Sequence, residues 1–334
     1  MDEPEPAAPA VPDQDIAPDG DVILVVGPQM VRLRVHSPIL RSSSKVFRAM
    51  FGPNWSEGQR LSKESPGEVC LVEDDAEAMR IICYVIHHRN NDVPQTLSPE
   101  LIFRIAVGAD KYDLAVALGL ASSLWLGRVY PMTQDMSDTR YSMLSAYLFR
   151  NADVFARHTL SLVLHFTGPY LGLLDDERVG QSIPWKTFCM LRPPVIRWFQ
   201  LYTNLSPIID LLEERRTRMR AELSQLLSLG RTANCGCGWN KQQNDVYKSL
   251  ESTYGPLKML GVPVAEIVGK MEEFPEMVYR RCCNRSLYSR EPLTDEETFR
   301  RKLEAMKRKA SICIDCVQGQ ESEETEKPCR SKHE

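Results

Sequence analysis

The hydrophobic residues in the first third of the chain follow two different periods. Val22–Val26 is an unbroken apolar run, and residues 31–35 alternate apolar and basic side chains. Both patterns are typical of β-strands, and the four residues between them suit a hairpin. A further short strand is predicted at residues 69–72. Because the first run contains no polar position, we expect that strand to be buried on both faces.

Apolar residues at helical spacing predict four helices around these strands. The first begins at Ser37-Pro38, with serine as the N-cap and proline as the first helical residue. Asp74-Asp75 can cap a second helix from position 76 to about 87, Ser98 a third, and the last covers residues 114–126. The fold class predicted for this block is therefore α/β (α+β), with about 100 residues in one compact unit.

Beyond Pro131 only helical periods remain, at residues 143–149, 154–166 and 208–229. Within the last of these, Glu214 stands four residues before Arg218, a favourable pair on one helix face. The predicted organisation has five parts. They are a disordered acidic and Pro-rich tail at 1–18, the α/β domain at 19–125, a helical extension at 126–230, a helical Cys-containing region at 231–317, and a disordered tail at 318–334.

Composition and charge restrict the class of protein. Hydrophobic residues make up 43% and charged residues 26% of the 334 residues, as in folded globular proteins. Positions 1–19 hold six acids and no base, so the net charge of −4 for the chain leaves +2 for residues 20–334. A charge this close to neutral argues against nucleic-acid binding. No apolar stretch is long enough for a membrane span, and the first residues do not form a signal peptide. We expect an intracellular protein of the cytoplasm or nucleus.

Five separate segments of the α/β block, taken together, resemble a known family. They are DVILVVG from Asp21, VRLRVHSPIL from Val31, SKVFRAMF from Ser44, VEDD from Val72 and AVGADKYDL from Ala106. In order and spacing they resemble a BTB/POZ domain over roughly residues 19–125. The resemblance is greatest to the fungal branch, in which a helical C-terminal region often follows.

The resemblance implies a non-enzymatic protein–protein interaction module, and it suggests a substrate adaptor for a cullin-family E3 ubiquitin ligase. Cullin-binding members carry a hydrophobic-any-Glu triplet where this chain has Trp55-Ser56-Glu57. Phe51 and Tyr112 are the other hypothetical partner-binding residues. Two structural interpretations stay open, because Trp55 could fold back onto its own core and Tyr112 could serve only in packing.

Oligomerisation is a second implication of the resemblance. Dimeric zinc-finger-type members exchange an N-terminal helix and strand, whereas residues 1–18 offer no apolar stripe for such an exchange. A different homo-oligomer stays open. His36, between the second strand and the first helix, is expected to be a structural histidine that bonds nearby backbone.

The C-terminal cysteines are candidate metal ligands. Cys235 and Cys237 form one close pair and Cys313 and Cys316 another, and two such pairs can supply the four thiolates of a structural zinc site. The interval of about 75 residues between the pairs is long for one zinc knuckle, so unligated thiols remain the alternative. Cys282-Cys283 could also supply a ligand.

Catalytic signatures and basic patches were weighed against these predictions. The sequence has no nucleophile elbow, phosphate-binding loop or dinucleotide fingerprint, which argues against an enzyme. The basic triplets at 300–302 and 307–309 predict a short basic helix. They suggest the alternative function of a zinc-stabilised nuclear scaffold or transcription-associated protein, although a solvated helix face is the favoured explanation.

Overall fold

A computed structural model describes residues 14–53, 55, 58, 62–128, 136–170, 195–229, 241–255, 258–273 and 296–319. The chain forms two compact units, Met1–Val154 and Phe155–Glu334. The described elements make a mixed α+β protein that is mostly helical, which confirms the general fold class. The first unit continues past residue 125, where the α/β domain was predicted to end.

A small sheet lies in the first unit. Its strands are β1 (Gln14–Asp15), β2 (Val22–Val26), β3 (Val31–Val35) and β4 (Gly67–Leu71), in the order β1-β3-β2-β4. β2 pairs antiparallel with β3 and parallel with β4, and β1 pairs parallel with β3. The hairpin and the three longer strands were predicted. β4 ends one residue earlier than expected, and Val72 is exposed.

The N-terminal strand corrects the predicted disordered tail at residues 14–18, while residues 1–13 of that prediction lie outside the described residues. Gln14 and Asp15 pair with β3, and the side chains of Ile16 and Ala17 are buried. The Arg89 guanidinium donates to the carbonyl of Ile16 at 3.0 Å and to that of Asp15 at 3.5 Å. Ile16 and Ala17 were missed because they stand alone in an acidic, Pro-rich context.

Six helices described in the first unit surround the sheet. They are α1 (Ser37–Ser43), α2 (Lys45–Met50), α3 (Ala76–Ile86), α4 (Pro99–Lys111), α5 (Gly119–Arg128) and α6 (Met136–Leu148). The predicted caps of α3 and α4 are confirmed, since Asp75 accepts from the amide of Ala78 and Ser98 from that of Leu101. α6 packs on α4, with the rings of Phe103 and Tyr141 5.6 Å apart.

The start of α1 differs from the prediction. His36 is the N-cap residue, and its side chain does not cap the helix. The amide and hydroxyl of Ser37 instead donate to the two carboxylate oxygens of Asp21, each at 2.7 Å. A carboxylate 16 residues away therefore satisfies the first turn, and the Ser-Pro pair follows it as the first two helical residues.

The start of α5 was also predicted wrongly. Asp113 has φ +53°, a left-handed conformation that follows the end of α4, and residues 115–118 form turns before α5 begins at Gly119. Leu114 and Leu118 are buried, whereas Val116 is almost fully exposed. The apolar spacing continued through the turns, so it could not reveal where the helix begins.

Every described element of the second unit is helical. α7 (Ala152–His165) leads into it, and α8 (Val195–Leu229), α9 (Lys241–Tyr254), a 3₁₀ turn (Lys258–Gly261), α10 (Val264–Glu272), α11 (Glu296–Ala310) and α12 (Ile314–Gly319) follow. α8 contacts α9, α10 and α11. The predicted ion pair of Glu214 with Arg218 forms on α8.

A buried arginine organises one end of the second unit. Arg216 on α8 donates to the carbonyls of Phe166 and Gly168 and to Glu213, and its guanidinium lies 4.3 Å from the ring centre of Tyr170. The Tyr170 hydroxyl donates to the carbonyl of Leu162 at 2.9 Å. These bonds hold the end of α7 against α8. The Arg216 guanidinium and the Tyr170 hydroxyl are therefore engaged in structural contacts.

Candidate interaction surface

Trp55 lies in the loop after α2 and keeps its side chain at the surface. α2 ends at Phe51, and the amide of Trp55 then donates to the carbonyl of Gly52 at 3.3 Å. The indole is 57% exposed, so it does not fold back onto its own core. Ser56 and Glu57, the other members of the triplet, lie outside the described residues.

The other two predicted partner-binding residues are not at the surface, and this is a correction. Phe51 and Tyr112 are buried. The ring of Phe47 lies between them, 4.6 Å and nearly parallel to Tyr112 and 5.9 Å from Phe51. Offset-stacked aromatic rings contribute interaction free energy beyond the burial of their apolar surface. This stack therefore fixes α2 against the end of α4. The packing interpretation of Tyr112 is the one that its burial supports.

Tyr112 also anchors a polar network beneath the sheet. Its hydroxyl donates to one oxygen of Asp74 at 2.6 Å, and the ammonium of Lys111 donates to the other at 2.6 Å. The Ser44 hydroxyl donates to the Tyr112 carbonyl and Ser44 also caps α2. Burial, and then the charge of Asp74, raise the pKa of Tyr112, which keeps the phenol protonated as a donor.

The neighbouring carboxylates are paired as well. Asp75 accepts from Arg104 at 2.6 Å in addition to capping α3, and Glu77 accepts from the same guanidinium at 2.8 Å. Arg104 stands on α4, so these two ion pairs and the Asp74 contacts join the start of α3 to α4. The acidic segment that follows β4 is therefore used for cohesion of the domain.

His36 and His87 meet where β3 passes into α1. The backbone amide of His36 donates to Nε2 of His87 at 3.1 Å, so Nδ1 of His87 carries the proton and donates to the carbonyl of Cys83 at 2.9 Å. Burial lowers the pKa of His87 to about 4. The His36 ring was predicted to bond nearby backbone. Its Nε2 instead lies 3.0 Å from the Asp19 carboxylate. Both histidines have structural partners.

An exposed apolar stripe was missed by the sequence analysis. Val116, Leu120 and Leu124 recur every four residues and are 95%, 79% and 54% exposed. Leu120 and Leu124 form one wall of an open groove of about 740 Å³. The sequence analysis predicted a helix over residues 114–126 and did not assign its faces, and the structure places these three side chains outward. A stripe of this kind marks an interaction surface more often than it marks bulk surface.

The predicted metal ligands fall mostly outside the described part of the chain. Cys235 and Cys237 lie outside it, Cys313 is half-buried just before α12, and Cys316 belongs to the first turn of α12. No group of three or more His, Cys, Asp or Glu residues in the described ranges could hold a metal ion. The alternative ligands Cys282 and Cys283 also lie outside these ranges.

The basic triplets lie on α11, as predicted. Arg308 and Lys309 in its last turn are exposed, while Lys307 pairs with Glu304 at 3.2 Å and with Glu272 of α10. Leu303, Met306 and Ala310 form the buried face of this helix. Arg301, Arg308 and Lys309 are therefore exposed on the outer side of a packed amphipathic helix.

Comparison with known proteins gives no relative: the chain matches no protein-family model and no curated protein. Among the described residues, no helix combines the length and the apolar content that a membrane crossing requires.

Proposed function

We propose that the chain is a non-enzymatic protein–protein interaction protein, built on a BTB/POZ-type domain over residues 19–125 and extended by a mainly helical C-terminal region. Its proposed role is that of a substrate adaptor for a cullin-family E3 ubiquitin ligase. The exposure of Trp55 is the observation on which this proposal rests.

Trp55 has the properties of an anchor residue. A tryptophan buries a large area on binding and loses little rotamer freedom, so such residues dominate the energy of many interfaces. The indole stands beyond α2, whereas Phe47 within α2 and Phe51 at its C-cap are buried. The stacked rings of Phe47, Phe51 and Tyr112 fix α2, and Trp55 follows that helix with its side chain in solvent.

The polar groups of the first unit support a scaffold role. Asp74, Asp75, Arg104 and His87 each contact a group on another segment of the same unit. Interactions of this kind stabilise relative positions of helices and so fix the surfaces that the helices present. A partner would accordingly meet a preformed surface.

The experiment is affinity capture of cullin-family proteins with the full chain, followed by mass spectrometry. We expect wild-type chain to retain a cullin, and Trp55→Ala and Glu57→Ala each to reduce the recovered amount by about tenfold or more, a loss of about 1.4 kcal/mol. Leu260→Ala is the matched control, because this leucine is equally exposed but lies in the second unit. Recovery that is the same for all four chains, or absent for all, contradicts the adaptor role.

The same preparation tests the zinc site. The proposed ligands Cys235, Cys237, Cys313 and Cys316 would tie two distant parts of the C-terminal region together. We expect about one zinc per chain by elemental analysis, lost in Cys235→Ser and Cys316→Ser and retained in Cys70→Ser. A wild-type chain free of zinc when it is purified without chelator contradicts this site.

A further inference from the structure

The groove beside α5 is formed by separate elements of the first unit, and it is called the α5 groove here. Its lining includes Ile39 of α1, Val85 of α3 and Leu120 and Leu124 of α5, together with Pro94 and Trp125. Trp125 is buried, and its indole nitrogen donates to the carbonyl of Pro94 at 3.0 Å. This bond fixes the loop to the helix, so the groove is preformed.

The start of the described chain lies close to one edge of the groove. Arg89 binds the carbonyls of Asp15 and Ile16, and its two neighbours His88 and Asn90 line the groove. Residues 1–13 precede β1 and lie outside the described residues. The eight Cα–Cα steps from Gln14 back to Pro6 can span up to about 27 Å when extended, which gives Pro6 the reach to pass Asn90.

The composition of this segment matches the groove. Pro6, Pro9 and Pro12 recur every third residue, with only Ala and Val between them. Polyproline II has three residues per turn, so this spacing places the three prolines along one edge of such a helix. Proline-rich segments bind aromatic and apolar grooves because little conformational entropy is lost when they dock.

Charge favours the same arrangement. Asp2, Glu3 and Glu5 stand on the N-terminal side of the three prolines. Arg41 is exposed on α1 beside Ser42, which lines the groove. The guanidinium of Arg48 lies next to it, donating to the Arg41 carbonyl at 3.1 Å. A segment docked in the groove with its acidic end toward α1 would find Arg41 and Arg48 there, charges of the opposite sign.

We propose that the Pro-rich segment at residues 6–12 occupies the α5 groove of its own chain and covers Leu120 and Leu124. The segment then competes with any partner that uses this apolar surface, and displacing it makes the surface available. This inference concerns a different face from Trp55, and it stands or falls independently of cullin binding.

Photo-crosslinking on the full chain tests the proposal. In Leu120→p-benzoylphenylalanine the probe replaces an exposed side chain, so folding is retained. After irradiation, we expect the probe to be joined to a peptide containing residues 6–12 in material that migrates as a single chain. Leu260→p-benzoylphenylalanine, at a similarly exposed leucine of the second unit, should give no such product.

A second variant shows whether the prolines carry the contact. Combining Pro6→Ser, Pro9→Ser and Pro12→Ser in the probe-bearing chain should lower the yield of the product by about tenfold, the effect of losing about 1.4 kcal/mol of docking free energy. Absence of the tail product overturns the proposal. A product that joins two chains overturns it as well, since the occupant is then a second copy, and an unchanged yield in the proline variant shows that the segment is not recognised.

Discussion

The hydroxyl of Tyr112 donates a hydrogen bond of 2.6 Å to the carboxylate of Asp74, across 38 positions of the chain. Asp74 follows β4 and Tyr112 ends α4, so the bond joins the sheet to the helices. The ring of the same tyrosine stacks on Phe47 of α2, and its carbonyl accepts from Ser44. One residue therefore connects three segments that the sequence separates.

Replacing Tyr112 by phenylalanine should test the polar half of this connection. Tyr112→Phe keeps the stack on Phe47 but removes the donor to a largely buried carboxylate. We expect the free energy of unfolding to fall by about 1–3 kcal/mol, because the hydrogen bond is to a charged group. The measurement is urea unfolding followed by circular dichroism.

Tyr84 offers the matched control for this substitution. It lies on α3, is half-buried, and its hydroxyl has no hydrogen-bond partner among the described residues. Tyr84→Phe should therefore change the free energy of unfolding by less than about 0.5 kcal/mol. Equal effects of the two substitutions would show that the Asp74 contact contributes nothing in solution.

Local signals predicted much of the fold, and contacts between distant segments account for what they missed. Asp75 and Ser98 cap the helices that begin directly after them, so adjacent residues suffice to place those caps. Ser37 lacked its predicted capping role because Asp21, 16 residues earlier, already satisfies the helix start. No local pattern contains that information.

The candidate surfaces show the same division. The exposure of Trp55 and the burial of Phe51 depend on which way the chain turns after α2, and both aromatic residues fit either outcome in the sequence. Leu120 and Leu124 have the spacing of a core face, yet they are exposed because the left-handed Asp113 redirects the chain before α5. A hydrophobic period predicts a face and not the direction in which the face points.

The Asp21–Ser37 contact should stabilise the first unit measurably. Asp21→Ala leaves the buried amide and hydroxyl of Ser37 without their acceptor, and we expect a loss of about 1–2 kcal/mol by urea unfolding. Ser37→Ala removes one of the two bonds and should cost less. The double variant should lose less than the sum of the two single changes, whereas strict additivity would show that the pair does not interact.

Stability should fall as the pH is lowered from about 6.5 to about 4. Burial lowers the pKa of His87 and of His158 to about 4, below the ordinary value of 6.5, so the unfolded chain binds more protons in this window. The contribution of these two histidines to the free energy of unfolding is fully present above pH 6.5. It declines toward pH 4 and changes little below that pH. Protonation of His87 also adds a proton to Nε2, which can then no longer accept the hydrogen bond from the His36 amide.

Urea midpoints measured between pH 4.5 and 7.5 check this prediction, and an imidazole titration by NMR gives the two pKa values directly. His87→Gln should flatten part of the pH dependence, while His165→Gln, at an exposed position, should leave it unchanged. A His87 pKa found near 6.5 would contradict the burial on which the prediction rests.

Replacing Trp125 and replacing Trp55 should have sharply different effects on the free energy of unfolding. Trp125→Ala empties a buried site and removes the hydrogen bond to Pro94, so we expect a loss of about 3–5 kcal/mol. Trp55→Ala should change the free energy of unfolding by no more than about 0.5 kcal/mol, since the indole is mostly in water. Thermal and urea unfolding of both variants decide this, and a large loss at Trp55 would mean that its role is structural.

Two cysteines of the first unit should react at very different rates with iodoacetamide. Cys70 is exposed on β4, whereas burial raises the pKa of the Cys83 thiol to about 12. Because the thiolate is the reactive species, we expect Cys83 to be alkylated at least about a hundredfold more slowly than Cys70 in the folded chain at pH 8. Timed alkylation with peptide mass spectrometry measures both rates in one sample.

In urea the two rates should converge, and Cys70→Ser should leave the slow rate of Cys83 unaltered. Comparable rates in the folded chain would show that α3 opens far more readily than its packing against α4 implies.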